Sequence, residues 1–241
     1  MLEKTRGIFL HAVKYSETSL IATIYTEEHG RLSFIVNGVR SKKSSLKAAV
    51  FQSLYLLEIE YYYQPGRDIH RLKNARIIAP YSSIPFDIRK SSQVMFLSEI
   101  LYKCLREEEP NAELFSFVAN SLSFLDLSES GISNFHIWFL FRFTQFLGIF
   151  PSQDNVFTGM FFDLQLAQFV DREPQHHQYA DKHITILLSK LFATDVSSLD
   201  LLAYTASERK EVLEKLLLFY KIHFDHLGEI KSLSILQEVL R

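Results

Sequence analysis

The sequence predicts an α+β protein of two domains, a five-stranded β-barrel over residues 1–80 followed by an all-α domain over 81–241. Three observations carry this. The first third of the chain consists of short apolar runs with period-two alternation, separated by turn signals. Pro80 and Pro85 then bracket a change to helical periodicity. The charge changes at the same place: residues 1–80 hold 12 Lys and Arg against 7 Asp and Glu, a balance of +5, whereas 81–241 hold 14 against 21, a balance of −7.

The strands follow in order. Gly7–Tyr15 is apolar and β-branched, interrupted by His11 and Lys14, and Ser19–Thr26 is a second β-rich run. Glu28-His29-Gly30 reads as a turn. In Arg31–Arg40, Leu32, Phe34 and Val36 point one way and Arg31, Ser33 and Asn37 the other, with Gly38 placed for a bulge or close backbone approach. Gln52–Tyr63 sets Leu57, Ile59 and Tyr61 against Glu58 and Glu60, Gln64-Pro65-Gly66-Arg67 turns the chain, and Asp68–Ala79 is the fifth strand. Five short strands that close on themselves fit an OB-fold, whose face and loops bind oligonucleotides; an SH3-like barrel fits the same pattern.

Beyond Pro85, Val94, Leu97, Leu101 and Cys104 share one helix face, which Glu107–Pro110 ends. Asn111 can cap a second helix with Leu114, Phe115, Val118, Leu122 and Leu125 inward. Asn134–Leu147 is apolar almost all round and reads as a buried central helix, ended by Gly148 and Pro151. Residues of about 152–180 read as a hairpin-like insert. A helix over about 181–192 and a short one near 196–204 follow. Thr205 and Glu208 form a capping box for a long helix with Leu213, Leu216, Tyr220, Phe224 and Leu227 inward, and KSLSILQEVL closes the chain as a last short helix.

Composition excludes several classes. The chain of 241 residues is 47% hydrophobic and 22% charged, which excludes disorder, collagen and coiled-coil rods. Its one cysteine, Cys104, excludes a disulfide framework and lies on a core-facing stripe, as a buried packing thiol does. No apolar run reaches the ~18 residues of a membrane span, and MLEKTRG lacks the apolar stretch of a secretory signal, so the expected setting is the reducing cytoplasm, without a membrane. There is no P-loop, GxGxxG, GxSxG or HExxH. His176, His177 and His183, with Asp181, match no standard ligand spacing, and Asp163 and Asp171 lack an acid–base partner. No catalytic residue, metal, cofactor or small-molecule substrate is expected, and the protein is not read as an enzyme.

The densest basic stretch, Arg40-Ser41-Lys42-Lys43-Ser44-Ser45-Leu46-Lys47, carries four positive charges and no negative one between two strands. Lysines neutralise phosphates and serines donate hydrogen bonds to them, so Arg40, Lys42, Lys43 and Lys47 are the first candidates for DNA contact; a solvated turn is the plainer alternative. Arg6, Lys14 and Arg31 extend the patch if they point the same way. Tyr15, Tyr25 and Phe34 can stack on bases, unless they serve as core.

These residues resemble the opening of the RecO family, bacterial DNA repair and recombination mediators. The resemblance rests on Gly7, Tyr15 to Glu17, Tyr25-Thr26, Gly30 to Phe34 and Gly38 to Lys43. Phe139–Pro151 is similar to the family's central helix and His226–Leu236 to its closing Lys-Ser segment. The resemblance implies an N-terminal OB barrel, binding of single- and double-stranded DNA, strand annealing, and RecA loading onto strands coated by single-stranded DNA-binding protein (SSB). It implies RecR and the acidic C-terminal tail of SSB as partners. Many members carry a four-cysteine zinc site in the insert; none of those cysteines is present over 152–180, so the insert is expected to pack without metal.

Arg142 interrupts the apolar central helix. A buried guanidinium needs a partner, either an internal acid or, as an anchor, the carboxylate of a partner's tail. The alternative to DNA binding for the whole protein is an adaptor whose basic barrel takes an acidic partner.

Overall fold

The computed structural model describes residues 1–39, 48–106, 109–151 and 160–240. The chain divides into two compact units, Met1–Asp126 and Leu127–Arg241. The barrel of the first unit thus carries two helices with it.

The barrel is closed, in the order β1 (Leu2–Lys14), β2 (Leu20–Thr26), β3 (Gly30–Val36), β5 (Ile69–Ile77), β4 (Leu56–Tyr62), with β4 returning to β1. All pairings are antiparallel except β3 with β5. A five-stranded closed barrel of this kind is OB-like. Alternation places Phe9, Ile24, Phe34, Ile59, Tyr61 and Leu72 inside. Phe34 meets Tyr61 edge-on at 5.1 Å, and the Tyr61 hydroxyl donates to Glu3 Oε2 at 3.0 Å, so the large core ring keeps its polar end satisfied. β1 begins at Leu2 rather than Gly7, because its first residues pair with β4 to close the barrel. β3 stops at Val36, short of Arg40, and Gly38 follows in the left-handed region at φ 72°.

Two helices complete this unit. α1 (Ile88–Cys104) is capped by the Asp87 carboxylate, which accepts from Arg89 N. α2 (Ala112–Leu127) begins at Asn111, whose Oδ1 accepts from Leu114 N at 2.9 Å. Ser98 of α1 donates to the Leu10 carbonyl where β1 bulges, and Phe115 of α2 stacks on Tyr25 of β2. These contacts cover part of the barrel's outer face.

The second unit is helical around α3 (Phe135–Phe143), whose Phe135, Phe139 and Phe143 rings pack against one another in succession, each tilted to the next. α4 (Lys182–Ala193) and α5 (Ala206–His223) pack beside one another, and α6 (Leu233–Val239) ends the chain. The capping box of Thr205 and Glu208 is present. The Tyr220 hydroxyl of α5 donates to the Leu140 carbonyl at 2.8 Å. α3 ends four residues before the expected Leu147. Thr144 turns its hydroxyl back to the Phe141 carbonyl, and tighter turns lead to Gly148 at φ 70°. Between α3 and α4, β6 (Phe161–Asp163), β7 (Gln168–Val170) and β8 (Tyr179–Ala180) form a small antiparallel sheet in the order β7-β6-β8.

Candidate nucleic-acid interface

Arg40, Lys42, Lys43 and Lys47 lie outside the described residues. The neighbours of that segment do not. Ser19, at the end of the β1–β2 turn, donates its hydroxyl to Asn37 Oδ1 at 3.1 Å, which holds this turn beside the chain as it leaves β3. Lys14 pairs across the ladder with Leu20, and Leu20 with Val36. Lys14 and Tyr15 therefore stand at the end of the barrel where β3 stops at Val36. Glu17 is the one acid in that turn.

The barrel's other cations divide by partner. Arg6 forms a bidentate pair with Glu27 and lies over the Phe115 ring at 5.5 Å. The hydrogen bonds between them raise the Arg6 pKa and lower that of Glu27, and their opposite charges add to both shifts. Arg31 turns away from the rim: its Nη1 donates to the carbonyls of Tyr102 at 2.9 Å and Leu105 at 2.6 Å, closing the C-terminus of α1, and its guanidinium covers the Tyr102 ring at 4.7 Å. Burial lowers its pKa. Lys4 and Arg76 share Glu58, and Lys73 pairs with Glu60. Lys14, Arg67 and Arg71 have no acidic partner among the described residues.

Arg71 belongs to the same rim. It pairs with Ile35 on β3 and with Tyr62 on β4, while Ile35 continues through Ile21 to Val13 on β1. Arg67 is in the turn between β4 and β5, closed by its N–H to the Gln64 carbonyl. Tyr15 is 62% and Tyr62 42% exposed. Tyr25 and Phe34, the other aromatic candidates, are buried, the first under α2 and the second in the barrel core. Sequence reasoning did not pick out Arg71, Arg67 or Tyr62. The alternation in β4 and β5 carried the signal, since it turns Tyr62 and Arg71 outward together.

Elsewhere, Arg142 meets no acid among the described residues. Its Nη2 donates to the carbonyls of Phe192 at 3.0 Å and Thr194 at 3.2 Å and so caps the C-terminus of α4. Cys104 is buried, and burial pushes its thiol up to about 12, far from a reactive thiolate. His176, His177 and His183 do not converge: His176 Nε2 pairs with Asp163 Oδ2 at 3.1 Å, and no group of three ligating side chains forms among the described residues. A four-thiolate zinc does not fit an insert without cysteine. Here the small sheet is held by Phe162 against Phe169 and Phe219, and by Asp163, whose Oδ1 also accepts from Gln165 N and Leu166 N. No helix among the described residues is long and apolar enough to cross a membrane.

An OB-like barrel with a basic rim, followed by a helical domain, defines a barrel-plus-helix protein of the oligonucleotide-binding architecture. Residues 1–81 match the family model "Recombination protein O N terminal" and residues 85–233 match "Recombination protein O C terminal". The chain is 38% identical over 239 residues to the DNA repair protein RecO of Phocaeicola vulgatus and 38% identical over 240 residues to that of Bacteroides fragilis, covering 99% of both chains in each case. It is 35% identical over 240 residues to the DNA repair protein RecO of Christiangramia forsetii, again over 99% of both chains. The chain belongs to the RecO family of DNA repair proteins.

Proposed function

We propose that this protein is a non-enzymatic recombination mediator of the cytoplasm that binds single- and double-stranded DNA at the barrel rim, anneals strands, and with RecR assists RecA loading onto SSB-coated strands. The observation that carries the reading is that Lys14, Arg67 and Arg71, cations without acidic partners among the described residues, lie in or beside the outward ladder row that leads from the end of β1, near exposed Tyr15, to exposed Tyr62. Arg40, Lys42, Lys43 and Lys47 follow the end of β3 in sequence. Cations that replace counterions on two strands at once lower the mutual repulsion of those strands, which favours annealing. The test is fluorescence anisotropy of labelled oligonucleotides of unrelated sequence, from low to physiological salt. Binding falls steeply with salt and tolerates sequence, and Lys42→Glu with Lys43→Glu weakens it severalfold or more. A barrel that ignores DNA at low salt and binds an acidic protein would be the adaptor instead.

The second unit takes the protein partners in this reading. An acidic tail that ends in an apolar residue needs an apolar hole with cations at its mouth. A cavity of about 270 Å³ between α5 and α6, lined by Ala206, Leu213, Leu236 and Leu240 with Arg209 and Lys210, meets that need. Arg142, already capping α4, is the weaker anchor. An SSB-tail peptide is expected to bind Lys210→Glu more weakly and Arg142→Ala as tightly as the unaltered chain; the reverse pattern restores Arg142 as the anchor.

A further inference from the structure

Resting on the DNA-binding reading, we propose that one outward row of side chains around the barrel is a platform for the unpaired bases of a single strand, and that duplex DNA uses only the cations beside it. The row is read from the ladders. Val13 pairs with Ile21, Ile21 with Ile35, Ile35 with Arg71, Arg71 with Tyr62, and Tyr62 with Leu2, which returns to the strand where the row began. Directly paired residues on neighbouring strands stand about 5 Å apart, so these side chains form a continuous belt that spirals over the barrel from the end of β1, at Val13, to its start, at Leu2.

The belt differs from the rest of the outer surface. On β4 and β5 the outward positions further along the strands are Glu58, Glu60, Lys73 and Arg76, and these neutralise one another or Lys4. In the belt, Leu2, Val13 and Tyr62 are exposed apolar groups, and Ile69 and Tyr15 extend the exposed surface beyond it. The single charge in the row, Arg71, and the flanking Lys14 and Arg67 have no acidic partner among the described residues. A surface that alternates apolar or aromatic groups with unneutralised cations complements a ligand with flat apolar faces on a polyanionic thread. A single strand is such a ligand: each base offers a free π-face to Tyr15, Tyr62 or the plane of Arg71, and the phosphates meet Lys14 and Arg67. In a duplex the base faces are already stacked on one another, so the belt gains nothing there and the cations alone act.

The test compares single- and double-stranded oligonucleotides of the same sequence at fixed salt on the full chain. Tyr15→Ala with Tyr62→Ala keeps every charge and alters only exposed side chains. We expect single-strand affinity to fall about tenfold or more while duplex affinity stays within about twofold. Tyr62→Phe in the Tyr15 wild-type background retains the ring and is expected to bind as the unaltered chain does. Equal loss on both forms, or no loss on the single strand, overturns the proposal; the second result also follows if the belt docks a protein. A wild-type chain that binds neither form fails the DNA-binding reading itself, which separates the two failures.

Discussion

Asp126 offers the most calculable perturbation of the unit that carries the rim. Its carboxylate, near the end of α2, accepts from the backbone N–H groups of Ser82 at 2.8 Å, Ser83 at 2.8 Å and Ile84 at 2.9 Å, and from the Ser82 hydroxyl at 2.8 Å. It thereby clamps the segment that joins the barrel to α1. Lys90, itself buried, donates to Ser83 Oγ and to the Asp126 carbonyl in the same cluster. Asp126→Ala removes the acceptor. The buried Ile84 N–H then has no substitute and costs about 1–3 kcal/mol, while the Ser82 and Ser83 N–H groups, which water can reach, cost about 0.5–1.5 kcal/mol each. The expected loss at pH 7 is about 3 kcal/mol. The pH dependence follows from the same bonds. Burial pushes the carboxyl up, but the N–H groups of Ile84, Ser82 and Ser83 and the Ser82 hydroxyl outweigh it and hold it down to about 2. A depressed carboxyl stabilises the fold above its ordinary value of 3.8, and that contribution is lost as pH falls through about 2. Urea unfolding followed by far-ultraviolet circular dichroism is the assay. The gap between wild type and variant should be constant from pH 7 to about 4 and narrow below that. A loss under about 1 kcal/mol at pH 7, or a gap that does not close in acid, refutes the reasoning.

Lys14→Gln with Arg71→Gln should lower the slope of log K against log salt for single strands by about 1.4, since each phosphate contact contributes about 0.7; if affinities converge near 1 M salt, that is about 14-fold weaker binding at about 0.15 M. Arg6→Gln, whose guanidinium is already held by Glu27, should change the slope by less than either single substitution; an equal change would place Arg6 in the contact surface. Gly7→Ala sets a Cβ at 2.5 Å from Ile24 Cγ2, in a core where Ile24 is fully buried, and should cost about 1–3 kcal/mol in urea unfolding; an unchanged midpoint would mean that the core yields freely.

The barrel was legible because burial imposes strict alternation. Leu32, Phe34 and Val36, and Leu57, Ile59 and Tyr61, face the core as the spacing requires. The caps at Asn111 and Thr205 were legible because they are local in sequence. The fate of single cations was not, because a charge in a sequence does not show its partner. Arg6 is held by an acid 21 residues away, and Arg31 by carbonyls 71 and 74 residues away. Among the described residues Arg142 meets carbonyl groups rather than the internal acid that a buried guanidinium suggests. Tyr25 lies on the outward face of β2, yet α2 covers that part of the barrel. Conversely, Arg71 and Tyr62 join Lys14 only through ladder pairings that close the barrel across distant strands.

The central claim is that DNA meets this protein at the barrel rim, and photo-crosslinking tests it most directly. A single-stranded oligonucleotide carrying 5-bromodeoxyuridine would be irradiated with the full chain, and the adducts located by mass spectrometry of the digested protein. The account predicts adducts on peptides that contain Tyr15, Tyr62 or residues 37–47. Adducts confined to residues 127–241 would contradict it.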